Sequence, residues 1–294
     1  MKRVVFVCSG NTCRSPLAAA ILRAEEPGVE VLSAGLAAYD GSPAAESARA
    51  VAGERGLSLQ DHRAQTLRGD LLEGAVCLTM TRSHQEEVRR RFPEAEGRVF
   101  SLGAYAGEPD LDVADPVGLG DSRYRETADL LSSLLRLAKQ RHGWLYLQLV
   151  GLGSDHAGFG LKRELLAALR QEGVPTRDYG TDSAERCDYP DFARDVGLAV
   201  AGGEVGAGIL ICGTGIGMSI SANKVHGVRA ALAAEGLGAE LARRHNDANV
   251  ICLGARLTGS ELAREIALRF LRQSFDGGRH GARVDKIMRL ESVD

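Results

Sequence analysis

Two side chains that can do chemistry together, a thiol and a guanidinium, stand close to each other near the start of the chain, at Cys8 and Arg14. They follow an apolar run, residues 4–7, that is typical of a buried parallel strand. Pro16 suits the first position of a helix, so we expect the loop to lie at a helix N-terminus with its N–H groups turned inward. Such a loop is a cradle for an anion, in which Arg14 would hold two phosphate oxygens. The same groups favour the thiolate of Cys8, which is a nucleophile.

An isolated cysteine and arginine would more often be a buried strand end and a surface charge. Here a strand, a small-residue loop and a helix start coincide, and this combination favours the anion cradle. We expect the cradle to be lined by the remaining loop residues, namely Gly10, Asn11, Thr12 and Ser15.

The loop, residues 8–15, resembles the signature of the low-molecular-weight protein-tyrosine-phosphatase family, and residues 1 to about 142 are similar to that family. Residues 33–35 and 77–84 also fit its layout. Family members carry a general-acid aspartate in an Asp-Pro pair, and Asp115-Pro116 lies about a hundred residues after Cys8. The resemblance implies a phosphatase.

Phosphoryl transfer to a cysteine requires a general acid, whatever the family. In-line attack by Cys8 on phosphorus leaves a phosphocysteine, and the departing group needs a proton, which Asp115 could supply. Asp115 could then act as base on the water that hydrolyses the intermediate, while Arg14 and the loop amides stabilise the equatorial oxygens. Taken alone, an Asp-Pro pair is also a common turn.

The resemblance implies a narrower class as well. Protein-arginine phosphatases have threonine at the position of Thr12, where tyrosine phosphatases usually have a bulkier aliphatic residue, and residues 78–84 look like the arginine type. Val117 stands where an aromatic residue often flanks a phenyl ring. Arsenate reductases of this fold need further cysteines, and Cys77 has no partner at the expected short spacing. We therefore expect phosphoarginine in proteins as substrate.

A second cradle lies in the other half of the chain. Residues 208–211 are a buried-strand run, and the glycine-rich loop 212–219 precedes a predicted helix. Alone, such a loop is weak evidence of function, because a tight strand-to-helix turn needs glycines too. Three further segments favour a functional site over a simple turn. Residues 154–158 close another strand, residues 187–191 precede a helix, and residues 243–247 end one.

Together these segments resemble type B ribose-5-phosphate isomerase over about residues 145–290. The resemblance implies a Rossmann-like sheet and a homodimer in which each active site draws on both subunits. It makes Cys212 the base that moves a proton between C1 and C2 of the open-chain sugar. The loop amides would hold the developing enediolate oxygen, with Thr214 assisting by hydrogen bonding. The loop glycines are Gly213, Gly215 and Gly217.

The same resemblance assigns the other polar residues of this half. His245 would open the furanose ring with Asn246 beside it, and Asp155 and Tyr189 would line the pocket. The phosphate contacts would be His156, Arg279 and Arg283. Without the resemblance, His245 is more often a satisfied helix-end histidine and the arginines a solvated basic turn. Cys187 and Cys252 lack a comparable setting and are interpreted as structural.

Composition bounds what the whole chain can be. It has 294 residues, of which 44% are hydrophobic and 26% charged, enough for a core in each of two domains. The net charge of −3 predicts neither a nucleic-acid nor a membrane partner. No signal-peptide core or membrane span is evident, and the six cysteines are expected to be reduced thiols, so we expect a cytoplasmic protein. No Cys/His cluster has metal-ligand spacing.

The elements that must position these residues alternate as strand, loop and helix. Strands are predicted over 3–8, 29–32, 75–80 and 98–101. Residues 123–140 predict an amphipathic helix that closes the first domain, and residues 144–150 begin a new apolar strand. The predicted fold class is α/β with two domains, 1–143 and 144–294, each a mostly parallel sheet flanked by helices.

The sequence thus predicts a bifunctional cytoplasmic enzyme, a phosphoarginine-type protein phosphatase fused to a ribose-5-phosphate isomerase of the pentose phosphate pathway. Neither half is expected to need a metal or organic cofactor. The alternatives for the first half are a tyrosine-specific phosphatase or a module that binds phosphorylated protein. For the second half they are allose-6-phosphate and galactose-6-phosphate isomerases.

Overall fold

The computed structural model describes residues 2–292 and contains two compact units, which divide between His142 and Gly143. Each unit has its own parallel sheet and its own hydrophobic core. No described helix is long and apolar enough to cross a membrane.

The first unit contains a four-stranded parallel sheet in the order β2-β1-β3-β4. Its elements are β1 (Arg3–Cys8), α1 (Arg14–Glu25), β2 (Glu30–Gly35), α2 (Glu46–Glu54), α3 (Gly69–Leu72), β3 (Val76–Thr79), α4 (Arg82–Arg91), a 3₁₀ turn (Pro93–Arg98), β4 (Val99–Ser101), α5 (Leu102–Ala106) and α6 (Gly120–His142). The predicted strands are confirmed, with bounds shifted by a few residues.

The central strand β1 explains where the first cradle lies. Val4, Val5, Phe6 and Val7 are all fully buried, because helices cover both faces of a parallel sheet. Parallel strands end at the same edge, so Cys8 lies next to Gly35 of β2 at the carboxyl edge of the sheet. The segment from Ser9 to Cys13 then turns directly into α1.

The prediction that Pro16 opens this helix was wrong. Helix α1 begins at Arg14, and the amide of Leu17 makes the first bond of the helical type, to Cys13 O at 3.2 Å. Pro16 is tolerated because the first-turn N–H groups have no partner within the helix, so the missing donor costs nothing. Arg14 is therefore held by the helix itself and not by the loop.

The second unit contains a five-stranded parallel sheet in the order β6-β5-β7-β9-β8. Its elements are β5 (Val150–Ser154), α7 (Phe159–Gln171), β6 (Thr176–Asp178), α8 (Tyr189–Ala201), β7 (Ala207–Cys212), α9 (Ile216–Ala222), β8 (Ala230–Leu232), α10 (Gly236–Asn246), β9 (Val250–Gly254), α11 (Ser260–Arg272) and α12 (Gly281–Arg289), with 3₁₀ turns at Gly143–Leu145, Gly278–His280 and Leu290–Ser292.

The strand predicted to begin at residue 144 was misplaced, since β5 begins only at Val150. Residues 143–145 form a 3₁₀ turn, and Leu147 has a left-handed backbone with φ of 58°. Trp144 donates its indole N–H to Leu271 O at 2.9 Å and packs edge-on against Phe270. The apolar residues before β5 therefore anchor the chain to α11 instead of pairing in the sheet.

Candidate active sites

The thiol of Cys8 lies at the end of β1 among hydrogen-bond donors. The amide of Asn11 donates to Cys8 Sγ at 3.3 Å, and Ser15 Oγ lies 3.0 Å from the same sulfur. Cys8, Asn11 and Ser15 are all buried. The sulfur is thus held at the start of the loop, where an anion in the cradle would lie.

Arg14, at the end of the same loop, is buried, and its guanidinium donates to two oxygens of the segment before α6. Nη1 donates to Val113 O at 3.0 Å, and Nη2 donates to Asp115 Oδ2 at 2.6 Å. The third donor, Nε, is enclosed and has no hydrogen-bond partner among the described residues. Because a buried donor without a partner is costly, Nε is suited to an oxyanion in the cradle.

Asp115 comes from the loop before α6 and contacts the cradle through Arg14. Its Oδ1 accepts from the amide of Val117 at 3.2 Å, and its side chain is 46% exposed. A carboxyl that is positioned by hydrogen bonds and partly open to solvent can exchange a proton with a bound group and then with water. The structure thus brings together the three side chains predicted for phosphoryl transfer, Cys8, Arg14 and Asp115.

Asn11 braces the loop in a conformation that few residues adopt. Its φ is 55°, and its Nδ2 donates to Ser15 Oγ at 2.9 Å and to Ser33 Oγ at 3.0 Å. Its Oδ1 accepts from the amide of Gln65 at 3.0 Å, while its carbonyl accepts from His62 Nε2 at 2.7 Å. Sequence reasoning identified Asn11 only as lining and missed His62 and Gln65, which lie far along the chain.

Two further features shape the cradle. A Cβ atom on Gly35 would lie 2.6 Å from Ser9 O, so only glycine allows β2 to pass this close to the loop. Gly10 and Thr12 are loop residues, and Thr12 Oγ1 lies 3.6 Å from Cys13 Sγ. Cys13 in turn lies 3.1 Å from the hydroxyl of Tyr124, and burial raises the pKa of its thiol.

In the second unit, Cys212 ends β7 in a similar way. The amide of Gly215 donates to Cys212 Sγ at 3.1 Å, and the backbone of Gly215 is left-handed with φ of 77°. A Cβ on Gly217 would lie 2.6 Å from a ring carbon of Tyr189, so the phenol covers this part of the loop. Thr214 Oγ1 accepts from the amide of Ile216 at 3.4 Å.

The end of the neighbouring strand β5 supplies the other predicted residues. Asp155 is buried, and its carboxylate accepts from the amide of Gly158 at 3.0 Å while its own amide donates to Ile211 O. His156 Nδ1 lies within 3.3 Å of both backbone polar atoms of Cys187. We call this group, Cys212 to Gly217 with Asp155, His156 and Tyr189, the thiol cluster; it lies at the carboxyl edge of the sheet.

Sequence reasoning missed one cation at this edge. The amide of Arg256 donates to Gly213 O at 3.0 Å, and a Cβ on Gly213 would lie 3.3 Å from Arg256 Nε. The guanidinium therefore lies along the glycine-rich loop. The available signal was its position just after β9, since ligands bind at the carboxyl ends of strands in open α/β sheets.

His245 belongs to a separate group at the end of α10. Its ring stacks on His280, with centroids 4.2 Å apart and planes within 6°, and its Nε2 lies 3.8 Å from Asp276 Oδ2. Desolvation, with the neighbouring His245, lowers the pKa of His280. Hydrogen bonds from Arg244 lower the pKa of Asp276. Sequence reasoning did not identify His280 or Asp276.

The two predicted phosphate arginines belong to the same segment. Arg279 Nε lies 3.4 Å from His280 Nε2, and Arg283 follows in the first turn of α12. Asn246 lines a cavity of about 610 Å³ that Ile287 and Leu290 also line. We call His245, Asn246, His280, Arg279 and Arg283 the histidine cluster.

The two clusters lie at opposite edges of one sheet. Helix α10 connects β8 to β9, and these two strands are parallel, so the helix runs antiparallel to them. Its C-terminal end, which carries His245, therefore lies near the first residue of β9. Cys212 pairs with Gly254 at the other end of β9, about 15 Å away for a strand of this length. Within residues 2–292, no hydrogen bond, ion pair or ring contact joins the clusters.

The thiols of Cys77 and Cys252 are buried in strands and have no hydrogen bond among the described residues. All six cysteines are free, and burial raises the pKa of Cys77 to about 12 and also raises that of Cys252. Among the described residues, no three His, Cys, Asp or Glu side chains form a group that could hold a metal ion.

Each unit has relatives of its own among known proteins. Residues 3–142 match the family described as Low molecular weight phosphotyrosine protein phosphatase, and residues 150–287 match the family described as Ribose/Galactose Isomerase. Ribose-5-phosphate isomerase B of Escherichia coli is 51% identical over 142 residues, which are 48% of this chain and 95% of that protein.

Two solved structures are similar in sequence to one unit each. Clostridium thermocellum ribose-5-phosphate isomerase B is 48% identical, and the match covers 49% of this chain and 97% of that one, with a TM-score of 0.48. The YwlE arginine phosphatase from Geobacillus stearothermophilus is 41% identical, and the match covers 47% of this chain and 90% of that one, with a TM-score of 0.45.

Proposed function

Since residues 3–142 belong to the low molecular weight phosphotyrosine protein phosphatase family and residues 150–287 to the Ribose/Galactose Isomerase family, we propose that this chain is a bifunctional enzyme with two independent active sites. One site hydrolyses phosphorylated protein, and the other interconverts ribose 5-phosphate and ribulose 5-phosphate. The free thiols fit the reducing cytoplasm, where we locate both activities.

The observation that carries the phosphatase proposal is the meeting of Cys8, Arg14 and Asp115 in one cradle. Cys8 Sγ attacks phosphorus, the bond from phosphorus to the leaving group breaks, and Asp115 gives that group a proton. Water then attacks the phosphocysteine, Asp115 takes the proton of that water, and the thiolate leaves. Arg14 Nε and the loop amides stabilise the equatorial oxygens in both steps.

The substrate that we propose is phosphoarginine in proteins. Thr12 leaves more room in the loop than a bulkier aliphatic residue. On the acid loop, Val117 is 61% exposed and stands in place of an aromatic ring. The relative that is 41% identical to this unit is an arginine phosphatase. Asp115 would then protonate the guanidino nitrogen as the P–N bond breaks.

Phosphate release from arginine-phosphorylated and tyrosine-phosphorylated protein, measured in parallel on the full chain, tests this specificity. We expect preference for phosphoarginine, and a shift toward phosphotyrosine in Thr12→Ile, because the larger side chain fills the loop. Preference for phosphotyrosine in the unaltered protein contradicts the assignment. Release from neither substrate would favour a phosphoprotein-binding module.

For the isomerase we propose that Cys212 moves the proton between C1 and C2 while the amides of the 213–217 loop hold the enediolate oxygen. The amide of Gly215, which donates to the sulfur at 3.1 Å, supports this role because it holds the sulfur against the loop whose amides would bind the enediolate. Asp155 and Tyr189 line the sugar site. His245 opens the ring, and Arg279 and Arg283, with His156, hold the phosphate.

These roles need two copies of the chain, because the thiol cluster and the histidine cluster lie at opposite edges of the sheet. Exposed apolar side chains beside the thiol cluster support a homodimer, in which each site combines one cluster from each copy. They are Ile216, Ile220, Leu232 and Leu237, each about half exposed.

Mixing inactive variants tests the shared site directly. Cys212→Ala and His245→Ala should each lack isomerase activity, but dimers formed from both hold one site with neither change. After co-refolding of equal amounts, we expect about a quarter of the unaltered activity on ribose 5-phosphate, since half of the dimers are mixed. No recovery would contradict a site shared between copies, and turnover of hexose phosphates alone would contradict the ribose assignment.

A further inference from the structure

His84 lies next to the phosphatase cradle, in the first turn of α4, and is buried. Both ring nitrogens have partners: Nδ1 lies 2.7 Å from Thr81 Oγ1, and Nε2 lies 2.9 Å from Ser9 Oγ. Ser9 directly follows the nucleophile Cys8. A side chain from β3–α4 is thus connected to the loop between β1 and α1.

The contacts of Thr81 accommodate a His84 ring that carries its proton on Nε2. Thr81 Oγ1 accepts from the amide of His84 at 3.2 Å and lies 2.9 Å from the hydroxyl of Ser83. We assign the arrangement in which Ser83 donates to Thr81, Thr81 donates to His84 Nδ1, and Nε2 donates to Ser9 Oγ. Desolvation, with the charge of Arg14, lowers the pKa of His84 and maintains this neutral form.

Ser9 Oγ accepts a second hydrogen bond, from Arg14 Nη2 at 3.5 Å. With His84 and Arg14 both donating to it, the hydroxyl has its own hydrogen left to donate. Ser9 is exposed, and the Nη2 atom that it contacts is also bonded to Asp115. The hydroxyl therefore lies within the ring of groups that would surround a phosphoryl group.

We propose that Ser9 is a further substrate-contacting residue, whose hydroxyl donates to an equatorial phosphoryl oxygen, and that His84 is the positioning residue that directs this hydroxyl. The proposal rests on the phosphatase function proposed above. It adds a side-chain donor to the loop amides and Arg14, and it gives a role to a histidine that touches no substrate.

Steady-state hydrolysis of p-nitrophenyl phosphate by the full chain tests it, with vanadate as a probe of phosphoryl binding. The activated leaving group isolates the contacts to phosphorus from the acid. We expect Ser9→Ala to lower kcat/KM about ten- to a hundredfold and to weaken vanadate inhibition by a similar factor, as loss of one hydrogen bond to a charged group does. His84→Leu should do the same.

Two further variants separate positioning from mere folding. The amide of His84→Gln can still donate to Ser9 Oγ, so this variant should retain most of the activity that His84→Leu loses. In the Ser9→Ala background, His84→Leu should cost nothing more, because the two residues act as a unit. Glu86→Gln changes an exposed residue of α4 that has no hydrogen bond to Ser9, Thr81 or His84, so it is the matched control and should have unaltered kinetics.

Unchanged kcat/KM in Ser9→Ala would overturn the proposal, and a full additional loss from His84→Leu in that background would overturn the role of His84. Ser9→Ala changes an exposed side chain, so the test does not depend on whether His84→Leu folds. If the unaltered chain did not hydrolyse p-nitrophenyl phosphate at all, the proposed function itself would fail, and this inference with it. If the chain hydrolysed p-nitrophenyl phosphate with the same kcat/KM with and without the Ser9 hydroxyl, only this inference would be wrong.

Discussion

At the scale of single residues, the loop between Cys8 and Arg14 is held by Asn11, which makes hydrogen bonds to four other residues. Cys8, Arg14 and Asp115 were identified because a nucleophile, an anion fork and an acid have recognisable types and spacing. His62 and Gln65 hold Asn11 from more than fifty positions away in the sequence. The residues around His62 and Gln65 in the sequence do not indicate this contact, because hydrogen bonds between distant segments leave no local sequence pattern.

Asn11 gives a prediction at this scale. Asn11→Ala removes three side-chain hydrogen bonds that support a left-handed backbone. We expect the loop to change conformation, so that its amides no longer point into the cradle. We expect kcat/KM for p-nitrophenyl phosphate to fall about ten- to a hundredfold. Isomerase activity of the same preparation is the internal control and should not change. Full phosphatase activity would show that the brace is dispensable.

At the scale of elements, the sequence indicated most strands and helices because their periodicity and burial are strong. The misplacements have local causes: Pro16 sits inside the first turn of α1, and the apolar residues after Gly143 pack on α11 instead of pairing in the sheet. Helix α6 also extends beyond the predicted 123–140, to Gly120–His142. His142, the last residue of α6, is buried, although it lies outside the predicted amphipathic stripe.

His142 makes the packing of α6 sensitive to acid. It stacks on Tyr105 with centroids 4.0 Å apart and donates to Tyr105 O, and burial lowers its pKa to about 4. Between the ordinary pKa of histidine, about 6.5, and this value, the unfolded chain binds a proton that the folded unit does not, so stability falls as pH falls. We expect this group to cost about 2–3 kcal/mol of stability at pH 4.5 relative to pH 7.5.

Hydrogen exchange of peptides from α5 and α6, corrected for intrinsic rates and compared at the two pH values, measures this loss. His142→Gln is the matched variant, because its amide can still donate to Tyr105 O but does not titrate. Its exchange protection should depend less on pH than that of the unaltered protein. Equal pH dependence in both would rule out His142 as the acid-sensitive group.

At the scale of the whole molecule, two parallel-sheet units follow one another in one chain, each with its own thiol at the carboxyl end of a central strand. The sequence predicted both folds because each unit carries a complete set of motifs. It could not indicate that α10 separates His245 from Cys212, because a linear order of motifs does not say at which edge of a sheet each one lies. That separation follows only from the topology, in which a crossover helix reverses the chain direction.

The central claim is that one chain carries two independent sites, each dependent on its own thiol. Assaying phosphate release and ribose 5-phosphate isomerisation on the same preparations of the full chain, unaltered, Cys8→Ser and Cys212→Ala, tests it most directly. We expect Cys8→Ser to lower phosphate release on the order of a thousandfold or more with isomerisation intact, and Cys212→Ala to do the reverse. Loss of both activities from either single substitution, or retention of the activity assigned to the substituted thiol, would contradict the account.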